Sequence, residues 1–178
     1  MGTTTMVDTE PRAWVGCLGC YNAGRLTGSW MSPDDAEEVG APCKRCGSDE
    51  WWCFDVEGVP VVREMSPVEF VKVGRLAEEV AEHPNTDALR VWMAYDFHYN
   101  VEQRDYDADD IVSAFEEVYD GEHDSYAEYA YEWADNHLGH FDTLDTVLVI
   151  DWEQTGRNLS ELVLRDGDTG PMYFFRMV

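Results

Sequence analysis

The sequence predicts an α+β chain built as three small domains, and three observations predict it. Residues 1–64 carry extended apolar runs broken by turn residues, together with two cysteine pairs; residues 65–106 read as purely helical; residues 107–178 set two acidic amphipathic helices ahead of a closing hairpin. At 178 residues, with 44% apolar and 13% aromatic composition, the chain has ample material for packed cores.

In the first region a strand is predicted at Trp14 to Cys17 and a second extended run at Trp51 to Val56, with turn signals at Asn22, Gly24 and Gly28 between them. Ser32-Pro33-Asp34-Asp35 offers an N-cap hydroxyl, a first-turn proline and first-turn acids, so a short helix should run to about Val39 and stop at Gly40. Ser66-Pro67-Val68-Glu69 repeats that grammar as a capping box and opens a helix with Phe70, Val73, Leu76, Ala77 and Val80 on one face, ending before Pro84. A second helix is predicted from Thr86 to about Phe97. The third region opens with a helix over Asp107 to Asp120, in which Ile111, Phe115 and Val118 share a face and Gly121 occupies the C-cap position. Ser125-Tyr126-Ala127-Glu128 caps the next helix, whose stripe is Tyr126, Tyr129, Ala130 and Trp133 up to Gly139. Asp151 with Gln154 opens a further short helix, and Glu161 to Arg165 with Met172 to Met177 flank Gly167 and Gly170 as a hairpin.

Charge decides which partners are possible. Thirty-seven Asp and Glu against twelve Lys and Arg leave a formal net charge of −25. From Glu102 to Glu153 there are seventeen carboxylates and one cation, Arg104. Aromatic residues from Tyr106 to Trp152 are threaded through that stretch, which separates it from disordered acidic tails, where aromatics are scarce. A field of this sign repels nucleic acid and anionic membrane surfaces, so neither is expected as a direct partner; a protein with a basic surface is. Salt adaptation would also produce an acidic chain with only two lysines, Lys44 and Lys72, but it does not account for the uneven placement. The start, MGTTTMVDTEPR, lacks a basic segment followed by an apolar one, and the longest aliphatic run is Val147 to Ile150, so the chain reads as cytoplasmic with no membrane span.

The carboxylates form rows. On the first acidic helix Asp107, Asp109, Asp110, Glu116, Glu117 and Asp120 are left for solvent by the apolar stripe. Six acids over fourteen residues at ~1.5 Å rise is one charge per roughly 3.5 Å. Duplex DNA carries one per about 1.7 Å of axis. Glu122, Asp124, Glu128, Glu132 and Asp135 follow on the next helix. An ordinary solvated face is the bland reading of any acidic helix, but two successive helices without Lys or Arg suit a surface that imitates a polyanion.

Cys17 and Cys20, then Cys43 and Cys46, have the two-residue internal spacing of a tetrahedral zinc site, and Cys43-Lys44-Arg45-Cys46-Gly47 reads as a zinc knuckle. A structural zinc would suit a small β-rich domain that cannot build much core. Free buried or redox-active cysteines are the other reading; a cytosolic setting disfavours a disulfide, although Cys53 supplies a fifth thiol. His137 and His140 have ligand-like spacing but no cysteine near them in sequence, and read as surface histidines.

Tyr21-Asn22-Ala23-Gly24-Arg25-Leu26-Thr27-Gly28-Ser29-Trp30 resembles the "YN.G.LHG.W" signature of ArdA antirestriction proteins. The stretch from Ala114 to Ser125, AFEEVYDGEHDS, continuing into Tyr129, Ala130 and Glu132, is similar to the family's "AFEEAY.GE.DS...YA.E". Asp151-Trp152-Glu153 followed by Gly156-Arg157-Asn158-Leu159 matches "DYE.FARDL", with Gly156 departing from the usual residue. The resemblance runs from about Trp14 to Val178. It implies an elongated protein of three small domains, a homodimer joined through the C-terminal region, and carboxylates displayed where DNA displays phosphates. It also implies the target: type I restriction-modification enzymes, or another DNA-binding defence protein, inhibited in a bacterial host so that mobile DNA survives entry. The paired cysteines are a departure from that family.

No Ser/His/Asp order, phosphate-cradling glycine loop or paired carboxylate points to an enzyme. The alternative of another class is a zinc-ribbon adaptor or transcription-associated protein whose acidic half merely keeps it in solution.

Overall fold

The computed structural model describes residues 10–100, 107–138 and 149–176, with side chains described to residue 95 in the first stretch. It is an α+β chain. The described residues form seven α-helices, a single 3-10 turn and two three-stranded sheets, and fall into two compact units, one running to Val112 and one beginning at Ser113. Each unit is built on its own antiparallel sheet.

In the first unit β1 (Arg12–Cys17) is the central strand, flanked by β2 (Gly28–Met31) and β3 (Trp51–Glu57). The β1–β3 ladder shifts register between Trp14 and Val15. Its apolar positions Ala13 and Val15 are buried with Val56 from β3 and Phe70, Val71 and Val73 from α3 (Pro67–Glu79), so the sheet and that helix share one core. The hydroxyl of Ser66 accepts the Glu69 N–H at 3.2 Å, as the capping sequence predicts; Glu69 turns its carboxylate to Arg63 instead of closing the box. Phe70, Val73, Leu76, Ala77 and Val80 are all buried, Val80 within a 3-10 turn (Val80–Glu82). The short helix capped by Ser32 is α2 (Pro33–Glu37), and α4 spans Thr86–Asn100.

Two elements of this unit differ from expectation. Gly28, read as a turn, begins β2, which lies antiparallel to β1 with Trp30 opposite Trp14. Between the predicted strand and the Asn22 turn signal, where no helix is expected, lies α1 (Leu18–Asn22), whose N-cap is a cysteine sulfur: Cys17 Sγ accepts the Cys20 N–H at 3.4 Å.

In the second unit β6 (Met172–Phe175) lies between β4 (Tyr119–His123) and β5 (Leu162–Arg165) and is buried throughout. Successive side chains of a strand point to opposite faces. Phe174 stacks on Tyr129 of α6 (Tyr126–Leu138) with centroids 4.3 Å apart, while Phe175 meets Tyr119 and Phe115 of α5 (Ala108–Val118) at 5.6 and 6.1 Å. α7 (Trp152–Leu159), capped by Asp151 at 2.9 Å from Gln154 N, packs along α6 so closely that a Cβ on Gly156 would overlap the Tyr126 carbonyl. Arg157 beside it lies over the Tyr126 ring at 4.4 Å.

The helix expected to run to Asp120 ends at Val118. Tyr119 stacks on Phe115 and pairs with Phe175, and the backbone from there follows β6 as a strand. Gly121 is accordingly no helix cap: it sits at φ +125° where the β4–β6 register shifts. Gly139, His140 and the start of the Val147 run lie outside the described residues.

Candidate functional site: a cysteine cluster and an acidic surface

Four sulfurs converge in the first unit. Cys17 ends β1, Cys20 lies in α1, and Cys43 and Cys46 bracket the turn before β3; their Sγ atoms all lie within 4.8 Å of one another. Cys17 to Cys46 is 3.4 Å and Cys20 to Cys43 is 3.8 Å. All five cysteines are free thiols, and Cys53 sits apart, in the sheet core.

The surrounding backbone is arranged for thiolates. Cys43 N–H donates to the Ser48 carbonyl at 2.8 Å and Gly47 N–H to the Cys43 carbonyl at 2.7 Å, closing the turn with Gly47 at φ +76°. The Arg45 N–H directed at Cys43 holds its thiol down to about 6 against the opposing effect of burial. Cys46, although the Ser48 N–H favours its thiolate, is pushed up to about 12 by the three neighbouring sulfurs. One thiol thus ionises readily and the last resists, because four negative sulfurs cannot share so small a space without a cation. The donor set fits a metal ion.

Packing points the same way. Among the described residues the buried members of this cluster are Cys17, Cys20 and Cys43 themselves, with Trp51 against them. The sequence did not single out Gly19, yet a Cβ there would meet Ser48 Cβ at 2.8 Å, so the first cysteine pair closes on the second only with glycine between its ligands. Nor did it single out Trp51, whose indole N–H donates to the Ala41 carbonyl at 3.1 Å and braces the loop ahead of Cys43. His137 is placed elsewhere, stacked on Trp133 at 4.4 Å.

The predicted acidic residues are at the surface. Asp107, Asp109, Asp110, Glu116, Glu117, Glu122, Asp124, Glu128, Glu132 and Asp135 are exposed, and Asp120 is half-buried. Asp107 caps α5, its Oδ1 accepting the N–H groups of Asp109 and Asp110 at 3.0 and 3.3 Å. Asp109 and Glu116, like Asp110 and Glu117, lie seven residues apart along α5 and so share faces of it. Glu128, Glu132 and Asp135 make a similar row on α6, opposite the buried Tyr129, Ala130 and Ala134. Glu128 also accepts the Asp124 N–H at 2.7 Å while its own N–H donates to Ser125 Oγ at 3.1 Å.

Ending α5 at Val118 moves Asp120 and Glu122 onto β4. Four acids then remain over the eleven residues of α5, one charge per roughly 4 Å at ~1.5 Å rise. Asp120 is also structurally engaged. It accepts the Tyr129 O–H at 2.8 Å and faces Arg176 Nε at 3.6 Å, a role no local pattern could reveal because both partners come from other elements. Burial, and then the Asp120 carboxylate, raise the Tyr129 hydroxyl above its ordinary value. His123, buried beneath this network, has Nδ1 3.6 Å from Glu132. The recess lined by these groups measures about 50 Å3, far smaller than a substrate pocket, which is typically about 300 Å3 or more.

No helix among the described residues is long and apolar enough to cross a membrane. A search of curated proteins finds no match. A family model described as antirestriction protein (ArdA) matches residues 13–164, most of the 178-residue chain.

Proposed function

The chain belongs to the ArdA family of antirestriction proteins, and from that membership we propose that it inhibits type I restriction-modification enzymes by DNA mimicry, its carboxylates occupying positions that phosphates take in the enzyme's groove. The protein acts by binding, without chemistry of its own. The observation that carries the reading is the exposure of every named carboxylate from Asp107 to Asp135 except Asp120, in a stretch without Lys or Arg. Such a field steers a basic groove toward it and pairs with many cations weakly, so affinity is distributed. The resemblance supports a homodimer joined through the C-terminal region, acting in the bacterial cytoplasm where restriction enzymes meet incoming mobile DNA. Another DNA-binding defence protein with a basic groove would be engaged in the same way.

The metal proposed for the cysteine cluster is zinc. Tetrahedral Zn–S bonds of ~2.3 Å set sulfurs about 3.8 Å apart; Cys20 and Cys43 stand at that separation, Cys17 and Cys46 are closer at 3.4 Å, and all four sulfurs lie within 4.8 Å of one another. Its role is structural: Cys17, Cys20, Cys43 and Cys46 hold it and it holds the two loops.

The test replaces Asp109, Asp110, Glu116, Glu117 and Glu122 together by Asn and Gln and measures inhibition of a purified type I enzyme acting on labelled DNA across a salt series. Five exposed charge pairs at ~0.5 kcal/mol each sum to about 2.5 kcal/mol, so inhibition should weaken on the order of 50-fold at low salt. The salt dependence should become shallower, and single replacements should do little. A variant that folds and inhibits as well as the parent at every salt concentration removes this surface from the mechanism. The zinc-ribbon adaptor would then be the better account.

A further inference from the structure

One sulfur of the cluster differs from the rest. Cys17, Cys20 and Cys43 are buried, whereas Cys46 is exposed. It lies 3.4 Å from the Cys17 sulfur, and a second close pair, Cys20 and Cys43 at 3.8 Å, lies wholly inside. An oxidant arriving from solvent therefore reaches Cys46 first, and its reaction partner is already in place.

We infer that the Cys17–Cys46 edge is an oxidative modification site through which a hydroperoxide expels the metal and loosens the N-terminal unit. The inference rests on the zinc reading given above. In the zinc-loaded protein the four sulfurs are deprotonated, so Cys46 attacks as a thiolate on one oxygen of hydrogen peroxide; the O–O bond breaks, the sulfur becomes a sulfenic acid, and hydroxide leaves. The Cys17 thiolate then attacks the Cys46 sulfur, an S–S bond forms, the S–O bond breaks, and a second hydroxide leaves. Two thiolates have lost two electrons and the peroxide has gained them. Closing from 3.4 Å to a bond of about 2.05 Å asks for a shift of roughly 1.4 Å, within reach of the exposed turn that carries Cys46. Cys20 and Cys43 alone hold zinc poorly, so the ion departs. The packing between the two loops then loosens, because its buried side chains among the described residues are the ligands themselves, with Trp51 against them.

The experiment loads the full-length protein with zinc, removes the excess, and adds hydrogen peroxide while a chromogenic chelator records released zinc. Differential alkylation and peptide mapping identify the thiols consumed. Zinc release should track the loss of the Cys17 and Cys46 thiols, the two should be recovered as one disulfide with Cys20, Cys43 and Cys53 still alkylatable, and dithiothreitol with zinc should restore the starting state. Cys53→Ser, which leaves all four ligands, should release zinc within about twofold of the parent rate. A zinc-loaded protein that keeps its metal in tenfold excess peroxide, or that forms a different disulfide, overturns this inference and leaves the zinc site standing. A protein that takes up no zinc overturns the metal reading, and this inference with it.

Discussion

Glu117 and Asp120 stand three residues apart and serve different ends. Glu117 is exposed, while Asp120 accepts the Tyr129 hydroxyl and faces Arg176. Hydrogen bonds to charged groups contribute about 1.5–3 kcal/mol, so Asp120→Asn should lower stability by about 1–2 kcal/mol, whereas Glu117→Gln should stay within about 0.5 kcal/mol; urea unfolding separates the two. Cys53 offers a pH test. Burial, then Glu69, push its thiol from 9.0 up to about 12. The unfolded chain therefore gives up this proton at a lower pH than the folded one. The stability involved is fully present below pH 9 and is lost as pH rises toward about 12. Cys53→Ala should flatten that alkaline decline relative to the parent in denaturant unfolding at successive pH values.

At the scale of the element, legibility followed the range of the forces involved. The helices opened by Ser32, Ser66, Ser125 and Asp151 were readable because a cap is satisfied within three residues of itself. Ser66→Ala should accordingly cost about 1 kcal/mol by thermal or urea unfolding. β2 and β4 were not readable: Gly28 to Met31 becomes a strand only because β1 lies beside it, and Tyr119 to His123 only because β6 outcompetes another helical turn. The cysteine cluster was legible from spacing alone, but Gly19 was not, since its neighbour Ser48 comes from a different loop. Removing the proposed metal should loosen this end first, because its binding energy would be folding energy there. Hydrogen exchange before and after chelation should rise in residues 17–50 ahead of the α3 core, and Gly19→Val should reproduce the effect without a chelator.

For the whole molecule, a net charge of −25 should couple stability and the proposed inhibition to salt in opposite senses. Raising ionic strength from ~0.01 to ~0.15 M shortens the screening length from about 30 to about 8 Å. Self-repulsion is then relieved and the melting midpoint should rise, while inhibition weakens. Melting curves and restriction assays on the same salt series check both. Family membership was legible because its signatures survive in order along the chain, while the partners that fix Asp120 are dispersed and left no local trace. The close approach of α7 to α6 at Gly156 bears on the thermodynamics of association. Because a Cβ there would overlap the Tyr126 carbonyl, the two helices meet backbone to backbone. Glu128, Glu132 and Asp135 therefore stand on a helix already fixed in place. A partner that engages them freezes side-chain rotamers only, with no chain left to order, so little of the attraction between charges is spent on entropy.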